Sequence, residues 1–215
     1  LFQVTPRIFV IGIIRLERLI MKKTFMSALT MILALCFLAF PLESVVEAQV
    51  PGVEFKLGNE VLFDSERYYD LIKGKKVGLV TNQTGVNSQG ISTIDRLAGD
   101  PNVKLTALFC PEHGLDGTAP AGSYVKSYTH PTLQIPVYSL YGSTRKPTLD
   151  MLQNVDVLVF DIQDVGARWY TYISTLNYVL EVAGSCGKPV IVLDRPNPLG
   201  GEIVEGPVLE DRFKT

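Results

Sequence analysis

The chain has 215 residues, a formal net charge of −2 and no stretch in which lysine and arginine form a basic stripe. Nucleic acid is therefore not an expected partner, because its recognition needs a basic face. Hydrophobic residues make up 47% of the chain, but many of them fall before residue 49, and the remainder has the length of one ordinary domain.

The beginning of the chain has the pattern of an export signal. It opens on Leu1 rather than methionine, and residues 1–20 mix arginine with apolar residues without turn signals or strand alternation. Met21 then precedes two lysines, an apolar run over residues 26–40 and a small-residue site that ends at Ala48. This order of basic segment, apolar segment and small-residue site is typical of a secretory signal peptide.

We therefore predict that translation starts at Met21 and that residues 1–20 are upstream read-through. Residues 21–48 are predicted to be a signal peptide cleaved after Ala48, which makes the protein secreted or periplasmic, with no stable membrane anchor after cleavage. An uncleaved anchor helix is the alternative, because the apolar run approaches the length that spans a bilayer.

Strand-like and helix-like segments alternate in the rest of the chain, residues 49–215. Apolar runs typical of strands cover residues 76–81, 103–109, 135–139, 157–160 and 188–194. Helical spacing covers residues 92–98, 149–153 and 169–183, with a lead-in helix within residues 53–69. Such alternation predicts parallel βαβ units with right-handed crossovers, hence an α/β fold with a doubly wound, mostly parallel sheet.

Four of the predicted strands end in polar side chains. These side chains are Asn82 and Gln83 after the first strand, Glu112 and His113 after the second, Asp161, Gln163, Asp164 and Arg168 after the fourth, and Asp194, Arg195 and Asn197 after the fifth. A single loop Asn or Asp is most often turn chemistry. Because parallel strands deliver their carboxyl ends to one edge, where ligands bind in open α/β sheets, the four loops together predict one site.

Glu112 and His113 lie in a predicted turn between Pro111 and Gly114. A carboxyl group at the rim of an apolar sheet can have its pKa raised by desolvation, and a neighbouring acid such as Asp161 would raise it further, which predicts a proton donor near neutrality. His113 could orient that acid, bind substrate or act as a base. The competing interpretation is that Glu112 is a helix cap or a surface charge and that His113 is an ordinary loop histidine.

No metal or nucleotide cofactor is expected. The first predicted strand is not followed by Gly-x-Gly-x-x-Gly, and no Walker lysine pattern is present, so both common phosphate cradles are missing. Acids and histidines occur near the predicted rim, but none has His-x-x-x-His or Cys-x-x-Cys spacing. Cys110 and Cys186 are predicted at opposite ends of the sheet, so we expect no disulfide between them.

Several motifs in order carry a family resemblance. They are the segments at residues 77–85, Pro111-Glu112-His113-Gly114, residues 161–172, residues 193–201 and Glu205-Gly206-Pro207. With these motifs the chain resembles, from about residue 53 to residue 210, the exo-β-N-acetylmuramidase family, long known as a domain of unknown function.

The resemblance implies a Rossmann-like N-terminal domain, a smaller C-terminal domain and an active cleft between them. It also implies enzymes of cell-wall recycling that release terminal N-acetylmuramic acid from peptidoglycan fragments without a cofactor. Members continue beyond the position of Thr215, so residues 49–215 are expected to be the catalytic N-terminal domain, truncated at its C-terminal end, with the C-terminal domain missing. The expected partner is a peptidoglycan-derived saccharide.

Glycosidic cleavage usually needs a proton donor and a second carboxylate. We predict Glu112 as the donor, Asp164 or Asp161 as the second carboxylate, and His113 as an accessory catalytic residue. The residues predicted to bind the sugar are Asn82, Gln83, Arg168, Tyr170, Asp194, Arg195 and Asn197. Among them, Arg168 and Arg195 suit the lactyl carboxylate of N-acetylmuramic acid. A non-catalytic saccharide-binding module is the alternative.

Overall fold

The computed structural model describes residues 55–213. The predicted read-through segment, signal peptide and cleavage site all lie outside these described residues. Within residues 55–213, no helix combines the length and the apolar character needed to span a membrane.

One mixed sheet forms the centre of the described residues. Its strands are β1 Lys76–Thr81, β2 Lys104–Cys110, β3 Tyr128–Thr129, β4 Pro136–Ser139, β5 Val157–Asp161 and β6 Val190–Val192. They are ordered β3-β4-β2-β1-β5-β6, and every neighbouring pair is parallel except β3 with β4. This confirms the predicted α/β fold with a mostly parallel sheet.

The order of the strands reverses on either side of β1, because β2 and β4 lie to one side and β5 and β6 to the other. In open α/β sheets, the crevice outside the carboxyl ends of the strands at such a reversal is where ligands bind. The reversal places Asn82, which follows β1, and Asp161, which ends β5, at that crevice.

Four α-helices surround the sheet in the described residues. They are α1 Gly58–Asp64, α2 Glu66–Tyr69, α3 Thr93–Gly99 and α4 Tyr172–Ser185, and single 3-10 turns cover Asp150–Leu152 and Asp211–Phe213. The predicted lead-in helix is two helices, because the backbone at Ser65 is extended, with φ −109° and ψ 116°. The segment predicted as a helix at residues 149–153 contains only a 3-10 turn.

The strands other than β3 send alternate side chains into two apolar clusters, one on each face of the sheet. From β5, Val159 joins the first cluster and Phe160 the second. The first cluster includes Leu62 of α1 and Leu97 of α3, and the second includes Val179 of α4. Burial on both faces is the reason that β5 reads as an uninterrupted apolar run.

Both cysteines of the described residues are free, as predicted. Cys110 is buried at the end of β2, and burial raises the pKa of its thiol to about 11. A thiol in this state is a poor nucleophile at neutral pH, because only the thiolate reacts. Cys110 is therefore a small core residue.

Gly58 allows α1 to begin directly against the chain after β6. Its N–H donates to the Asp194 carbonyl at 2.9 Å, and a Cβ atom placed on Gly58 would overlap the Asp194 amide and lie 2.7 Å from Leu193 Cα. We therefore expect Gly58→Ala to lower the free energy of unfolding by about 1–3 kcal/mol through overpacking. The measurement is the midpoint of urea unfolding followed by circular dichroism.

The matched control is Gly99→Ala at the end of α3, where a Cβ atom would meet nothing within 4 Å. This substitution is expected to be neutral or to stabilise by about 0.4–1 kcal/mol, because alanine restricts the unfolded chain. Equal midpoints for the two variants would show that α1 does not pack as described.

Candidate functional site

The loops that follow β1, β5 and β6 are joined by hydrogen bonds at the carboxyl edge of the sheet. The Gln163 N–H donates to Thr84 Oγ1 at 2.9 Å, and Gln163 Nε2 donates to the Pro196 carbonyl at 2.9 Å. Arg195 Nη2 donates to the Val86 carbonyl at 2.8 Å. Three of the four loops predicted to meet at one edge of the sheet are therefore in contact there.

Glu112 brings the loop after β2 into the same edge. Its Oε2 accepts from the Thr171 hydroxyl at 2.8 Å, and its Oε1 accepts from the Gly122 N–H at 2.8 Å. Thr171 immediately precedes α4, and Gly122 lies in the loop between β2 and β3. The carboxylate is therefore held between that loop and the β5–α4 connection. The Glu112 side chain is half-buried and reachable from solvent.

The pKa of Glu112 lies below its usual value, which corrects the prediction of a raised pKa. Desolvation is the largest single influence and raises the pKa. Hydrogen bonds from the Gly122 amide and the Thr171 hydroxyl, together with the nearby Tyr141 side chain and the charge of His113, outweigh that influence. Hydrogen bonds to the ionised form stabilise it, so Glu112 is a carboxylate at neutral pH.

His113 orients the loop beside Glu112. Its backbone has φ 71°, a left-handed conformation that non-glycine residues rarely adopt, and Gly114 follows with φ 80°. Nδ1 lies 2.8 Å from the Ala119 carbonyl. Because a carbonyl oxygen only accepts, Nδ1 carries the proton of this hydrogen bond, and Nε2 is the ring nitrogen left for a ligand.

Asp161 and Arg195 form an ion pair inside the protein. Arg195 Nε donates to Asp161 Oδ1 at 2.7 Å, and their side chains are 7% and 0% exposed, respectively. Asp161 Oδ2 accepts from Thr93 Oγ1 at 2.6 Å and from Asn59 Nδ2 at 3.4 Å. Neither charged group faces solvent, so the pair connects β5 to the loop after β6 and leaves little of either side chain for a sugar.

Asp164 and Thr171, the hydrogen-bond partner of Glu112, line different cavities. The cavity beside Asp164 has a volume of about 170 Å³ and is also lined by Tyr172 and Ile173. Asp164 Oδ1 accepts from the Gly166 N–H at 2.8 Å. Its Oδ2 is buried and has no hydrogen-bond partner among residues 55–213.

Asn82 is 4% exposed, and its Oδ1 accepts from the backbone and hydroxyl of Thr84 at 3.0 and 2.6 Å, which is turn chemistry. Its Nδ2 has no partner of good geometry in the described part of the chain. Asn82 nevertheless lies close to the Tyr172 phenol. Burial raises the pKa of Tyr172, the Asn82 side chain lowers it by a smaller amount, and the charge of Glu112 raises it further, so the pKa of Tyr172 is raised overall. Asn82 and Glu112 therefore each lie within electrostatic range of Tyr172.

The remaining residues predicted to bind the sugar are exposed, namely Gln83, Arg168, Tyr170, Asp194 and Asn197. Two of them also take part in local turns, because Asp194 Oδ1 accepts from the Arg195 N–H at 2.9 Å and Asn197 Oδ1 accepts from the Leu199 N–H at 3.0 Å. Among residues 55–213, no group of three or more His, Cys, Asp or Glu residues is placed to hold a metal ion.

Sequence reasoning did not assign roles to Thr171, Tyr141 or Gly122, which act directly on the Glu112 carboxylate. Gly122 is 10 residues and Thr171 is 59 residues away from Glu112 along the chain. The one signal that pointed to Thr171 is its place in the motif at residues 161–172. Tyr141 and Gly122 carry no comparable sequence signal.

Comparisons with known proteins agree with this architecture. The family model described as "Exo-beta-N-acetylmuramidase NamZ, N-terminal" matches residues 77–215. A curated relative, the "Peptidoglycan beta-N-acetylmuramidase NamZ" of Bacillus subtilis (strain 168), is 56% identical over 146 residues, which are 68% of this chain and 35% of the relative.

Two crystal structures of DUF1343 family proteins from Bacteroides fragilis NCTC 9343 are also similar. One has 49% sequence identity and a TM-score of 0.66, and the other has 29% identity and a TM-score of 0.61. Each match covers 76% of this chain and 40% of the crystallised chain. The chain thus spans about a third of the length of the curated relative and two-fifths of each solved structure.

Proposed function

We propose a function from the fact that this chain belongs to the exo-beta-N-acetylmuramidase NamZ family, whose N-terminal model it matches over residues 77–215. The proposed function is hydrolysis of the glycosidic bond of terminal β-linked N-acetylmuramic acid in peptidoglycan fragments, as part of cell-wall turnover. The observation that carries this proposal is the 56% identity to a relative named as a peptidoglycan β-N-acetylmuramidase. The substrate is a saccharide of N-acetylmuramic acid and N-acetylglucosamine.

Glu112 is the proposed catalytic carboxylate. Hydrolysis breaks the bond between C1 and the leaving oxygen, adds water at C1 and returns a proton to the leaving oxygen. Because hydrogen bonds hold the pKa of Glu112 below its usual value, the ionised group suits activation of water or stabilisation of positive charge at C1. This role differs from the proton donor that the sequence suggested.

Asp164 and His113 are the proposed accessory residues. Asp164 lines a cavity of about 170 Å³ at this edge, and its Oδ2 accepts no hydrogen bond from residues 55–213. His113 presents Nε2, because Nδ1 is bonded to the Ala119 carbonyl. Sugar contacts are assigned to the exposed side chains of Gln83, Arg168, Tyr170, Asp194 and Asn197, and the Asp161–Arg195 pair supports the loops that carry them.

The test is turnover of two chromogenic substrates by the purified protein. We expect release of nitrophenol from nitrophenyl β-N-acetylmuramide and much slower release from nitrophenyl β-N-acetylglucosaminide. A non-catalytic binding module would bind free N-acetylmuramic acid and release no nitrophenol from either substrate, and that result would refute the proposal.

We also propose that the protein is exported. The support is the order of Met21, the two lysines after it, the apolar run and the small residues up to Ala48. N-terminal sequencing of the exported protein is expected to begin at Gln49. Recovery of Leu1 at the N-terminus would contradict both the start at Met21 and the cleavage.

A further inference from the structure

A cavity of about 350 Å³ opens beside Glu112. One wall is the face of α4 that carries Ser174 and Tyr178, preceded by Thr171, and Tyr141 and Arg145 also line the cavity. Thr171 connects the cavity to the proposed reaction centre, because its hydroxyl donates to Glu112 Oε2 at 2.8 Å. A sugar bound at Glu112 therefore has this cavity as its neighbour.

Arg145 gives the cavity a positive charge. Its guanidinium stacks on the Tyr141 ring, 4.2 Å from the ring centroid. Among residues 55–213, Arg145 forms no ion pair with a carboxylate. Stacking on an aromatic ring leaves the edge of a guanidinium open to accept a planar anion on two parallel N–H donors.

Glu181, an acidic residue of α4, is already neutralised by Lys146. Lys146 Nζ lies 2.7 Å and 2.8 Å from the two carboxylate oxygens of Glu181, and the same amino group lies 5.0 Å from the centroid of the Tyr178 ring. The Arg145 charge is therefore not balanced by Glu181. The N-terminal end of α4, a helix of 14 residues, adds a partial positive charge to the same cavity.

We propose that this cavity binds the carboxylate carried by the substituent that distinguishes N-acetylmuramic acid from N-acetylglucosamine, with Arg145 as its counter-ion. The inference rests on the proposed function. The cavity of 350 Å³ has room for roughly a dozen water-sized groups at about 30 Å³ each. It therefore admits either the free lactyl carboxylate or a short peptide attached to the lactyl group, whose own carboxylates supply the same chemistry.

Three chromogenic substrates separate these sources: the β-N-acetylmuramide with a free lactyl carboxylate, its neutral lactyl carboxamide, and a form that carries a dipeptide with free carboxylates. We expect Arg145→Met to lower kcat/KM about 10- to 100-fold, mainly by raising KM, on the substrate whose carboxylate Arg145 binds. The reason is that hydrogen bonds between charged groups are stronger than those between neutral groups. The neutral carboxamide should be unaffected. The kcat/KM of Arg145→Lys should lie between those of wild type and Arg145→Met, because lysine keeps the positive charge but lacks the two parallel N–H donors of the guanidinium.

Arg67→Met is the matched control, since Arg67 also stacks on a tyrosine, 5.6 Å from the Tyr68 centroid, and lies outside the cavity. An effect on the free acid alone assigns the cavity to the lactyl carboxylate, and an effect on the dipeptide substrate assigns it to the peptide. Equal effects on charged and neutral substrates, or no effect on any of them, would overturn the proposal.

Failure of the proposed function has a different signature. If the wild-type protein hydrolyses none of the substrates, calorimetric binding of free N-acetylmuramic acid is compared between wild type, Arg145→Met and Arg67→Met. Binding that only Arg145→Met weakens supports the cavity and rejects hydrolysis. Binding equal in all three, or absent from the wild type, rejects the cavity.

Discussion

Replacing Glu112 by glutamine is expected to lower kcat on nitrophenyl β-N-acetylmuramide by about 10²–10⁴-fold, the range for loss of a positioned acid–base group. Glutamine keeps the size of the side chain and an oxygen that accepts from the Gly122 N–H, so the hydrogen bonds that hold the loop are largely retained. We therefore expect the unfolding midpoint to stay close to that of the wild type. The effect on turnover then reports the loss of the charge.

The matched control is Glu66→Gln, which removes an exposed glutamate at the start of α2, away from the carboxyl edge of the sheet. Its turnover is expected to equal that of the wild type. Turnover of Glu112→Gln that is indistinguishable from the control would remove Glu112 from the mechanism.

The pH dependence distinguishes the two possible roles of Glu112. If the ionised form is the active one, activity is present above its pKa and is lost as the pH falls through it. Because the pKa is lowered from 4.5, the acid limb of kcat/KM is expected below pH 4.5. Thr171→Val removes one of the hydrogen bonds to the carboxylate and should move that limb to higher pH. An alkaline limb near neutrality that depends on Glu112 would instead show a proton donor.

Arg195→Met is expected to reduce the free energy of unfolding by about 3–5 kcal/mol, the usual result of removing one partner from a buried ion pair. The substitution leaves the Asp161 carboxylate charged with its side chain 0% exposed. It also removes the donor to the Val86 carbonyl, so the loops after β1 and β6 lose a direct connection. The measurement is the midpoint of urea unfolding by circular dichroism.

The control is Arg212→Met, which breaks an ion pair with Glu210 of similar length, 2.9 Å, whose side chains are 70% and 62% exposed. Arg212→Met is expected to reduce the free energy of unfolding by only about 0–1 kcal/mol, because solvent screens exposed ion pairs. Adding Asp161→Asn to Arg195→Met should recover part of the stability, since it removes the unpaired charge and keeps an oxygen for the Thr93 hydroxyl. Equal losses for Arg195→Met and Arg212→Met would contradict the burial of the pair.

The strands that were predicted well are those whose neighbours on both faces are apolar. β1, β2, β4 and β5 begin and end within one residue of their predicted bounds, because burial on two faces selects a continuous apolar run that is visible in sequence. β3 was missed because its two residues are both exposed and carry no such signal. The break at Ser65 was missed because backbone dihedrals at a single residue leave no period to detect.

The sequence alone therefore determined the α/β class, the mostly parallel sheet, the family and the edge at which the polar loops meet, since each follows from repeating patterns or from motifs read in order. Tertiary structure decided which of those polar groups are available. It paired Asp161 with Arg195, placed Asp164 and Thr171, the partner of Glu112, in the linings of different cavities, and lowered the pKa of Glu112. The reason is physical: a pKa and an ion pair depend on distances of a few ångströms between residues such as Glu112 and Thr171, which chain separation does not specify.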